Sequence, residues 1–333
     1  MSDHRPRKMN LRTPQLARLA LLVAGAMSTS ALAQEWPVKP VRIVVPHAPG
    51  GVTDMLARLV ADRLSGGLKQ SFVVENRAGA GGLVGSDLVS KSAPDGYTLV
   101  ASGMASHVIA PTAGVAPFDP MKSFTHIALL GGPPLALLVH PSVQVKSVKT
   151  FIALTRAQAG GVSYGSPGAG THNHLMGELF RARTGAQMVH ISYKGGGPAA
   201  IDLIGGHIPS AFLTLSTAAP HIKSGRVRAL AITSAARLPD YATVQTFAEA
   251  GYGDLTTTNW SAYSGPAGIP AAIATRLNNE VVKVLRSAEI QERLHAEGIK
   301  PNELSLAAFT EFFQKEIDRW TPVAKSAGLK IGG

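Results

Sequence analysis

Short apolar runs alternate with amphipathic segments along most of the chain. Residues 41–46 (VRIVVP) have the continuous apolar character of a buried strand, and residues 55–64 (MLARLVADRL) space their apolar side chains like one face of a helix. Because this order repeats, the pattern predicts a doubly wound α/β fold with parallel sheets covered by helices. Further strands are predicted at 72–74, 97–101, 162–165, 189–192, 208–213 and 227–233, and further helices at 84–89, 148–159, 174–183 and 199–204.

The alternating unit occurs twice, which predicts two lobes. One sheet would come from about 41–130 and the other from about 135–233. The remaining chain predicts helices at 271–287, 290–296 and 305–327 with little strand between them, and we expect these helices to pack back on the first lobe. The predicted organisation is a discontinuous first lobe (34–133 and 252–333) and a second lobe (134–251), with a ligand cleft between them.

The N-terminus has the pattern of an export signal. Five basic residues and one acid precede an apolar run at 19–27 (LALLVAGAM). Small residues follow this run and end in Ala31-Leu32-Ala33. This order predicts a signal peptide over 1–33. The run is shorter than the ~20 residues of a membrane span. Since the chain has no cysteine, disulfides, thiolate metal sites and a lipidated N-terminal Cys are excluded, and we expect a periplasmic protein without a lipid anchor.

Composition and motifs argue against several function classes. The net charge of +11 is compatible with nucleic-acid binding, but Lys and Arg are scattered and aromatic residues make up only 6%, so we expect no nucleic-acid partner. Residues 79–85 (GAGGLVG) place Val84 where the dinucleotide motif needs its last glycine, and no P-loop is present. We expect no cofactor. The spacing of His172 and His174 is compatible with metal, but no carboxylate is near in sequence, so we expect hydrogen-bonded histidines and no metal site.

Glycine-rich loops carry the strongest candidate chemistry. Residues 47–54 (HAPGGVTD) and 165–174 (GSPGAGTHNH) each lie between a predicted strand and a predicted helix. A helix N-terminus presents unpaired N–H groups and about half a positive charge, which favours an anion. One such loop per lobe could hold a carboxylate from both sides, although each is also compatible with an ordinary capped loop. Lys194 in 193–198 (YKGGGP) and Ser102 in 101–107 (ASGMASH) are weaker candidates, since a loop lysine commonly lies in solvent.

The order and spacing of several segments resemble a known family, the extracytoplasmic solute receptors of tripartite tricarboxylate transporters (TctC-like or Bug-type proteins). The resemblance covers essentially the whole chain after the predicted signal peptide. The matching segments are 36–49 (WPVKPVRIVVPHAP), 50–58 (GGVTDMLAR), 73–82 (VVENRAGAGG), 93–99 (APDGYTL), 164–175 (YGSPGAGTHNHL), 193–198 (YKGGGP) and 220–234 (PHIKSGRVRALAITS).

The resemblance implies a periplasmic-binding-protein fold, two α/β lobes around a cleft, and a small carboxylate ligand such as a di-, tri- or aromatic acid. Members bind through backbone N–H groups, hydroxyls and ordered waters. The resemblance carries ligand-contact roles onto Pro49, Gly50, Gly51 and Thr53 of the first loop and onto Ser166, Ala169, Gly170, Thr171 and His174 of the second.

One departure from the family bears on ligand choice. After the strand that ends near residue 212, many members carry an Asp, whereas Leu213 and Thr214 stand here. Thr214 therefore joins the expected ligand contacts. Because Leu213 cannot pair with an ammonium group, the sequence predicts a carboxylate ligand without an amine, and Leu213→Asp is the corresponding test.

The function predicted from these features is a solute receptor and not an enzyme. It would capture a carboxylate and deliver it to the large and small membrane subunits of the transporter. A sensory role, with docking on a sensor kinase of a two-component system, is equally compatible with the sequence. An exported hydrolase that uses Ser166 with His172 or His174 is disfavoured, since no G-x-S-x-G elbow is present and no acid is placed to orient the histidine. Nothing indicates an obligate dimer, and we expect a monomer.

Overall fold

The computed structural model describes Met1, residues 36–112 and residues 116–328. The predicted signal peptide over 1–33 lies outside the described residues except for Met1. Within the described part, no helix combines the length and apolar character that crossing a membrane requires.

In the described part of the chain, ten strands form two five-stranded sheets, as two α/β lobes require. The strand β1 shows why these segments extend, because its apolar VRIVV run is buried at four of its five positions. The strands are β1 (Val41–Val45), β2 (Phe72–Asn76), β3 (Thr98–Gly103), β4 (Phe124–Gly131), β5 (Leu135–Val139), β6 (Val162–Ser166), β7 (Met188–Ser192), β8 (Ser210–Thr214), β9 (Arg228–Ile232) and β10 (Ser261–Pro266).

Helices cover the sheets and follow the predicted amphipathic segments. In the first of them, Leu56, Leu59, Val60 and Leu64 are buried, which confirms the face that their spacing predicts. The longer helices are α1 (Val52–Leu68), α2 (Leu83–Ser90), α3 (Val148–Ala157), α4 (His172–Thr184), α5 (Gly196–Ile204), α6 (Leu215–Lys223), α7 (Ala271–Arg286), α8 (Ala288–Ala296) and α9 (Leu306–Ser326).

The predicted architecture of two α/β lobes is confirmed, but both sheets are mixed where the alternating pattern predicted parallel sheets. The first sheet has the order β2-β1-β3-β10-β4, and β10 runs antiparallel to both of its neighbours. The second has the order β7-β6-β8-β5-β9, with β5 antiparallel to β8 and β9. The periodicity of a strand does not encode its direction. The chain after residue 233, for which only helices were predicted, contributes β10 to the interior of the first sheet.

One apolar cluster joins the two sheets. It contains Leu129 of β4, Leu137 of β5 and Phe212 of β8 together with Phe313 and Trp320 of α9. Helices α7 and α9 pack against β4, where the tail helices were expected. The carboxyl ends of the parallel strands β1, β6 and β7 lead into loops that begin α1, α4 and α5, and these loops bring the candidate residues together.

Candidate functional site

A cavity of about 620 Å³ is lined by loops from both sheets. The first sheet contributes residues around the start of α1 and the residues directly after β3. The second sheet contributes the starts of α4, α5 and α6. The lining residues are His47, Gly50, Gly51, Val52, Thr53, Asp54, Met55, Gly103, Met104, Ala105, Pro167, Thr171, His172, Asn173, Gly196, Gly197, Thr214, Ser216, Thr217, Asn259, Trp260 and Glu297.

Four helix N-termini meet at this cavity. Helices α1, α5 and α6 begin after Gly51, Gly195 and Thr214, and none of these three residues makes a side-chain capping hydrogen bond. Only α4 is capped, because Thr171 Oγ1 accepts a hydrogen bond from the backbone N–H of His174 at 3.3 Å. The first-turn N–H groups of a helix have no acceptor within it, so uncapped N-termini leave donors free for an anion.

The cavity lining holds no Lys or Arg among the described residues. Its charged side chains are two acids, Asp54 and Glu297, and His47 also lines it. Burial lowers the pKa of His47, which favours the neutral imidazole. Attraction of an anion therefore depends on backbone N–H groups, helix dipoles and hydroxyls.

The loop before α1 is held by Asp54. This carboxylate accepts hydrogen bonds from the Gly50 N–H at 3.0 Å, from Arg58 Nε at 3.1 Å and from Asn76 Nδ2 at 2.8 Å. Burial disfavours its charge, but the hydrogen bonds from Arg58, Gly50 and Asn76 outweigh burial and lower its pKa. Asn76 Nδ2 also donates to the carbonyl of His47 at 3.1 Å. The negative charge of Asp54 is thus compensated within the protein.

The hydroxyl of Thr53 adds a polar group at the same place. Its Oγ1 lies 2.9 Å from Ser261 Oγ at the start of β10. Gly50 and Gly51, both predicted contacts, line the cavity beside Thr53, whereas Pro49 is exposed and lies outside the lining. Gly50 has a φ of +86°, a backbone conformation that favours glycine.

The second predicted loop contributes fewer residues than expected. Thr171 lines the cavity, but Ser166, Ala169, Gly170 and His174 do not. Their atoms build the loop: the N–H of Ala169 donates to Ser192 Oγ at 2.9 Å, and the N–H of Gly170 donates to His174 Nδ1 at 3.2 Å. Ser166 Oγ is 2.7 Å from His190 Nε2 and is fully buried. A direct ligand contact for these four residues stays a prediction.

Two weaker candidates also lie outside the lining. Ser102 is buried, and its hydroxyl is 2.9 Å from Ser264 Oγ. Lys194 is exposed. By contrast Thr214 lines the cavity, with its Oγ1 at 2.9 Å from Thr217 Oγ1. The sequence-predicted residues that the fold brings together are Gly50, Gly51, Thr53, Thr171 and Thr214.

Leu213 cannot serve as the ligand-selecting position. Its side chain is 1% exposed and packs in an apolar cluster with Ala136, Leu138 and Ala211. Leu213→Asp would bury a carboxylate among apolar groups instead of presenting it to a ligand. Along β8 successive side chains alternate between faces, and it is Thr214 that reaches the cavity. Thr214→Asp is therefore the appropriate substitution.

The sequence patterns did not identify several of the residues that line the cavity. Asn259 and Trp260 directly precede β10, the strand that periodicity did not predict. Trp260 is fixed by a hydrogen bond from its Nε1 to Glu316 Oε2 at 2.9 Å, and burial raises the pKa of Glu316. Ser216, Thr217 and Glu297 also line the cavity. The hydroxyl run Thr214-Leu-Ser-Thr after a strand could have indicated the first two, whereas nothing local marks Glu297.

The two histidines with metal-like spacing are engaged within the protein. His172 Nε2 lies 3.3 Å from Thr257 Oγ1, and the His174 ring stacks on His190 with centroids 3.8 Å apart. Burial lowers the pKa of His172 to about 3 and also lowers that of His174. In the described ranges, no three His, Asp or Glu side chains are grouped as a metal site would need.

Comparisons with known proteins bear on the family and the fold. A family model described as the tripartite tricarboxylate transporter family receptor matches residues 56–329. Protein BugT of Bordetella pertussis is 35% identical over 97% of this chain and 100% of its own length. A solved structure described as a periplasmic transporter superposes with a TM-score of 0.78 at 34% identity, covering 89% of this chain and 100% of that one.

Two solved relatives contain ligands. Rpa4515 of Rhodopseudomonas palustris, with adipate, has a TM-score of 0.77 at 35% identity and covers 88% of this chain and 99% of its own. MatC of the same organism, with bound malate, has a TM-score of 0.74 at 29% identity and covers 87% of this chain and 100% of its own. These likenesses confirm the periplasmic-binding-protein fold.

The family decides between receptor and enzyme. Its matching members are solute-binding proteins, and Ser166 in this chain bonds to His190 and not to either histidine that a hydrolase was expected to use. The hydrolase alternative is therefore wrong. The chain belongs to the family of tripartite tricarboxylate transporter receptors, the extracytoplasmic solute-binding proteins of TctC or Bug type.

Proposed function

We propose that this protein captures a small carboxylate in the 620 Å³ cavity and delivers it to the large and small membrane subunits of a tripartite tricarboxylate transporter. The observation that carries the proposal is the meeting of four helix N-termini, three of them without a side-chain cap, at a cavity lined by both sheets. The adipate in Rpa4515 and the malate in MatC support a carboxylate as the ligand class.

The available interactions are sufficient for useful affinity. A micromolar ligand needs about −8 kcal/mol. A hydrogen bond to a charged group contributes roughly 1.5–3 kcal/mol, and each helix end adds about 0.3–1 kcal/mol. Four to six such contacts, less the entropy lost on association, reach this range.

The proposed organisation follows from the same loops. Residues 34–133 with 252–333 would move as one lobe and residues 134–251 as the other, and a carboxylate held by N-termini from both would favour the closed arrangement. Removal of residues 1–33 on export would place the receptor in the periplasm, where it meets its ligand.

A single glycine offers a sharp test of the anion site. Gly51 is the N-cap residue of α1, its backbone is extended, and a Cβ placed there would meet nothing within 4 Å. In Gly51→Asp, the new carboxylate should cap α1, occupy its N–H donors and add negative charge to the cavity. We expect carboxylate affinity to fall at least about tenfold, the effect of about 1.4 kcal/mol, while the ligand-free protein keeps its stability.

Thermal shift and calorimetric titration against mono-, di- and tricarboxylates, aromatic acids and acidic amino acids would measure this effect, after any co-purified ligand has been removed by unfolding and refolding. Gly51→Ala is the matched control and should bind like the wild type. Equal binding by Gly51→Asp, or no binding of any acid by the wild type, would contradict the proposal. Uptake of the bound acid into vesicles that carry the two membrane subunits would test delivery.

A further inference from the structure

Glu297 is an acid in a cavity that otherwise favours anions. It follows the end of α8 and is half-buried, and it lines the same cavity as the four helix N-termini. The other acid there, Asp54, is compensated by Arg58 and two further donors. Within the described residues, the Glu297 carboxylate has no hydrogen bond or salt bridge, so no direct partner neutralises its negative charge.

The fold fixes Glu297 at this place. Its backbone N–H donates to the carbonyl of Leu294 at 3.1 Å, which ties the residue to the last turn of α8. The next residue, Gly298, has a φ of +69°, and a Cβ there would lie 3.2 Å from the side chains of Leu215 and Leu238. The turn is thus packed against the start of α6, and Gly298 permits both its backbone conformation and this close approach.

The cavity therefore presents two kinds of charge, the positive ends of helices and one negative side chain without a direct partner, Glu297. The N-termini of α1, α4, α5 and α6 attract a carboxylate, whereas the Glu297 carboxylate repels a second one and attracts a hydrogen-bond donor. No described Lys or Arg lines the cavity, so no side-chain cation within the lining offsets Glu297. A ligand that fills both environments needs a carboxylate at one end and a donor at the other.

We propose that Glu297 is a specificity-determining residue that selects carboxylates whose far end carries a hydroxyl or ammonium group and disfavours a second ionised carboxylate. This inference deepens the proposed function and rests on it. It also replaces the argument from Leu213, because the acid that can meet an ammonium group comes from the end of α8 and not from the end of β8.

The experiment compares ligands that differ only at the far end. Four-carbon and six-carbon series, each consisting of the ω-hydroxy acid, the ω-amino acid, the dicarboxylate and the plain monocarboxylate, are titrated into ligand-free wild type, Glu297→Gln and Glu292→Gln. Glu292 lies on α8, is exposed and is outside the cavity lining. Glu292→Gln therefore removes the same charge at a position away from the cavity.

In the wild type we expect the ω-hydroxy or ω-amino acid of the accepted length to bind more tightly than the dicarboxylate. Glu297→Gln should shift the ratio of the two dissociation constants toward the dicarboxylate by about tenfold, and Glu292→Gln should leave the ratio unchanged. Melting curves without ligand verify that each variant is folded.

The two proposals fail in different ways. If acids bind but Glu297→Gln leaves the ratio unchanged, or if the wild type prefers the dicarboxylate, the role of Glu297 is refuted while the receptor function stands. If no member of either series binds to the wild type and the wider acid panel also fails, the carboxylate function itself is refuted, and the inference falls with it.

Discussion

At the scale of single residues, Asp54 links the stability of the protein to the shape of its site. Its side chain is only 7% exposed and holds Gly50, Arg58 and Asn76 together. In Asp54→Ala these partners lose a charged acceptor, so we expect the free energy of unfolding to fall by about 1–3 kcal/mol and carboxylate affinity to fall with it. Urea denaturation and calorimetric titration would measure the two effects.

The pH dependence of this effect has a defined sign. Because the pKa of Asp54 is lowered in the folded state, its ionised form stabilises the protein above its ordinary pKa of 3.8, and this contribution is lost as pH falls through the lower folded value. Asp62→Ala is the control, since Asp62 lies on the same helix with a side chain 70% exposed. If Asp62→Ala lost as much unfolding free energy as Asp54→Ala, the stabilisation would not be specific to the loop before α1.

The sequence predicts a site residue correctly only where the local order of strand, loop and helix places that residue at the cavity. Gly50, Gly51 and Thr53 follow a strand and begin a helix, so their place at the cavity follows from local order. Ser166 and Gly170 have the same local order, but their polar atoms are bound by His190 and His174. Such cross-strand and cross-turn partners depend on packing, which a motif does not encode.

At the scale of elements, the capped start of α4 provides a comparison with a helix outside the site. Thr171 Oγ1 accepts from His174 N and donates to the carbonyl of Gly168 at 2.7 Å. Ser147 caps α3 in a reciprocal capping box with Thr150 and lies outside the cavity lining. Removal of either cap should cost about 1 kcal/mol of stability.

Only one of the two substitutions should affect binding. Thr171→Ala should weaken carboxylate binding several-fold, because the loop at the cavity loses its anchor, whereas Ser147→Ala should leave the dissociation constant unchanged. Chemical denaturation and titration of both variants would separate the effects. Equal affinities for the two variants would mean that the order of the α4 start does not matter for the ligand.

The elements themselves were predicted with uneven success for a physical reason. The segments VRIVV and MVHIS are apolar enough to be recognised as strands from their own residues. The strand β10 (SAYSGP) is rich in small and polar residues, and it is fully buried because β3 and β4 pair with it from both sides. Its existence depends on distant partners, and the residues before it, Asn259 and Trp260, were missed with it.

At the scale of the whole molecule, positive charge and the anion site are separate. The sequence carries a net charge of +11, yet no described Lys or Arg lines the cavity. The basic residues named in ion pairs lie largely at the surface, where pairs such as Lys91–Asp87 add little stability. Net charge thus gives no information about the ligand here, whereas the positions of the helix starts do.

The buried histidines should make the whole fold sensitive to acid. Burial lowers the pKa of His126 to about 4 and that of His172 to about 3, and it lowers the pKa of His107 well below its ordinary value. His126 is 4% exposed, stacks on Phe313 at 4.0 Å and lies 3.2 Å from Ser264 Oγ through its Nδ1. Each of these rings is therefore neutral in the folded protein near neutral pH.

The unfolded chain takes up protons at these histidines below about pH 6.5, so their contribution to stability is complete above that pH and is lost as pH falls toward the folded pKa values. Each histidine adds up to about 1.4 kcal/mol per pH unit to the slope within this window.

His126→Gln removes one such group, so the unfolding free energy of this variant should decline less steeply than that of the wild type between about pH 6 and pH 4.5. Gly161 has a φ of +78°, and a Cβ there would lie 2.6 Å from the carbonyl oxygen of Gln187. Gly161→Ala should therefore be destabilised without losing a titratable group and should keep the wild-type slope. Urea denaturation across this range measures all three slopes, and parallel curves for His126→Gln and wild type would show that His126 does not couple protonation to folding.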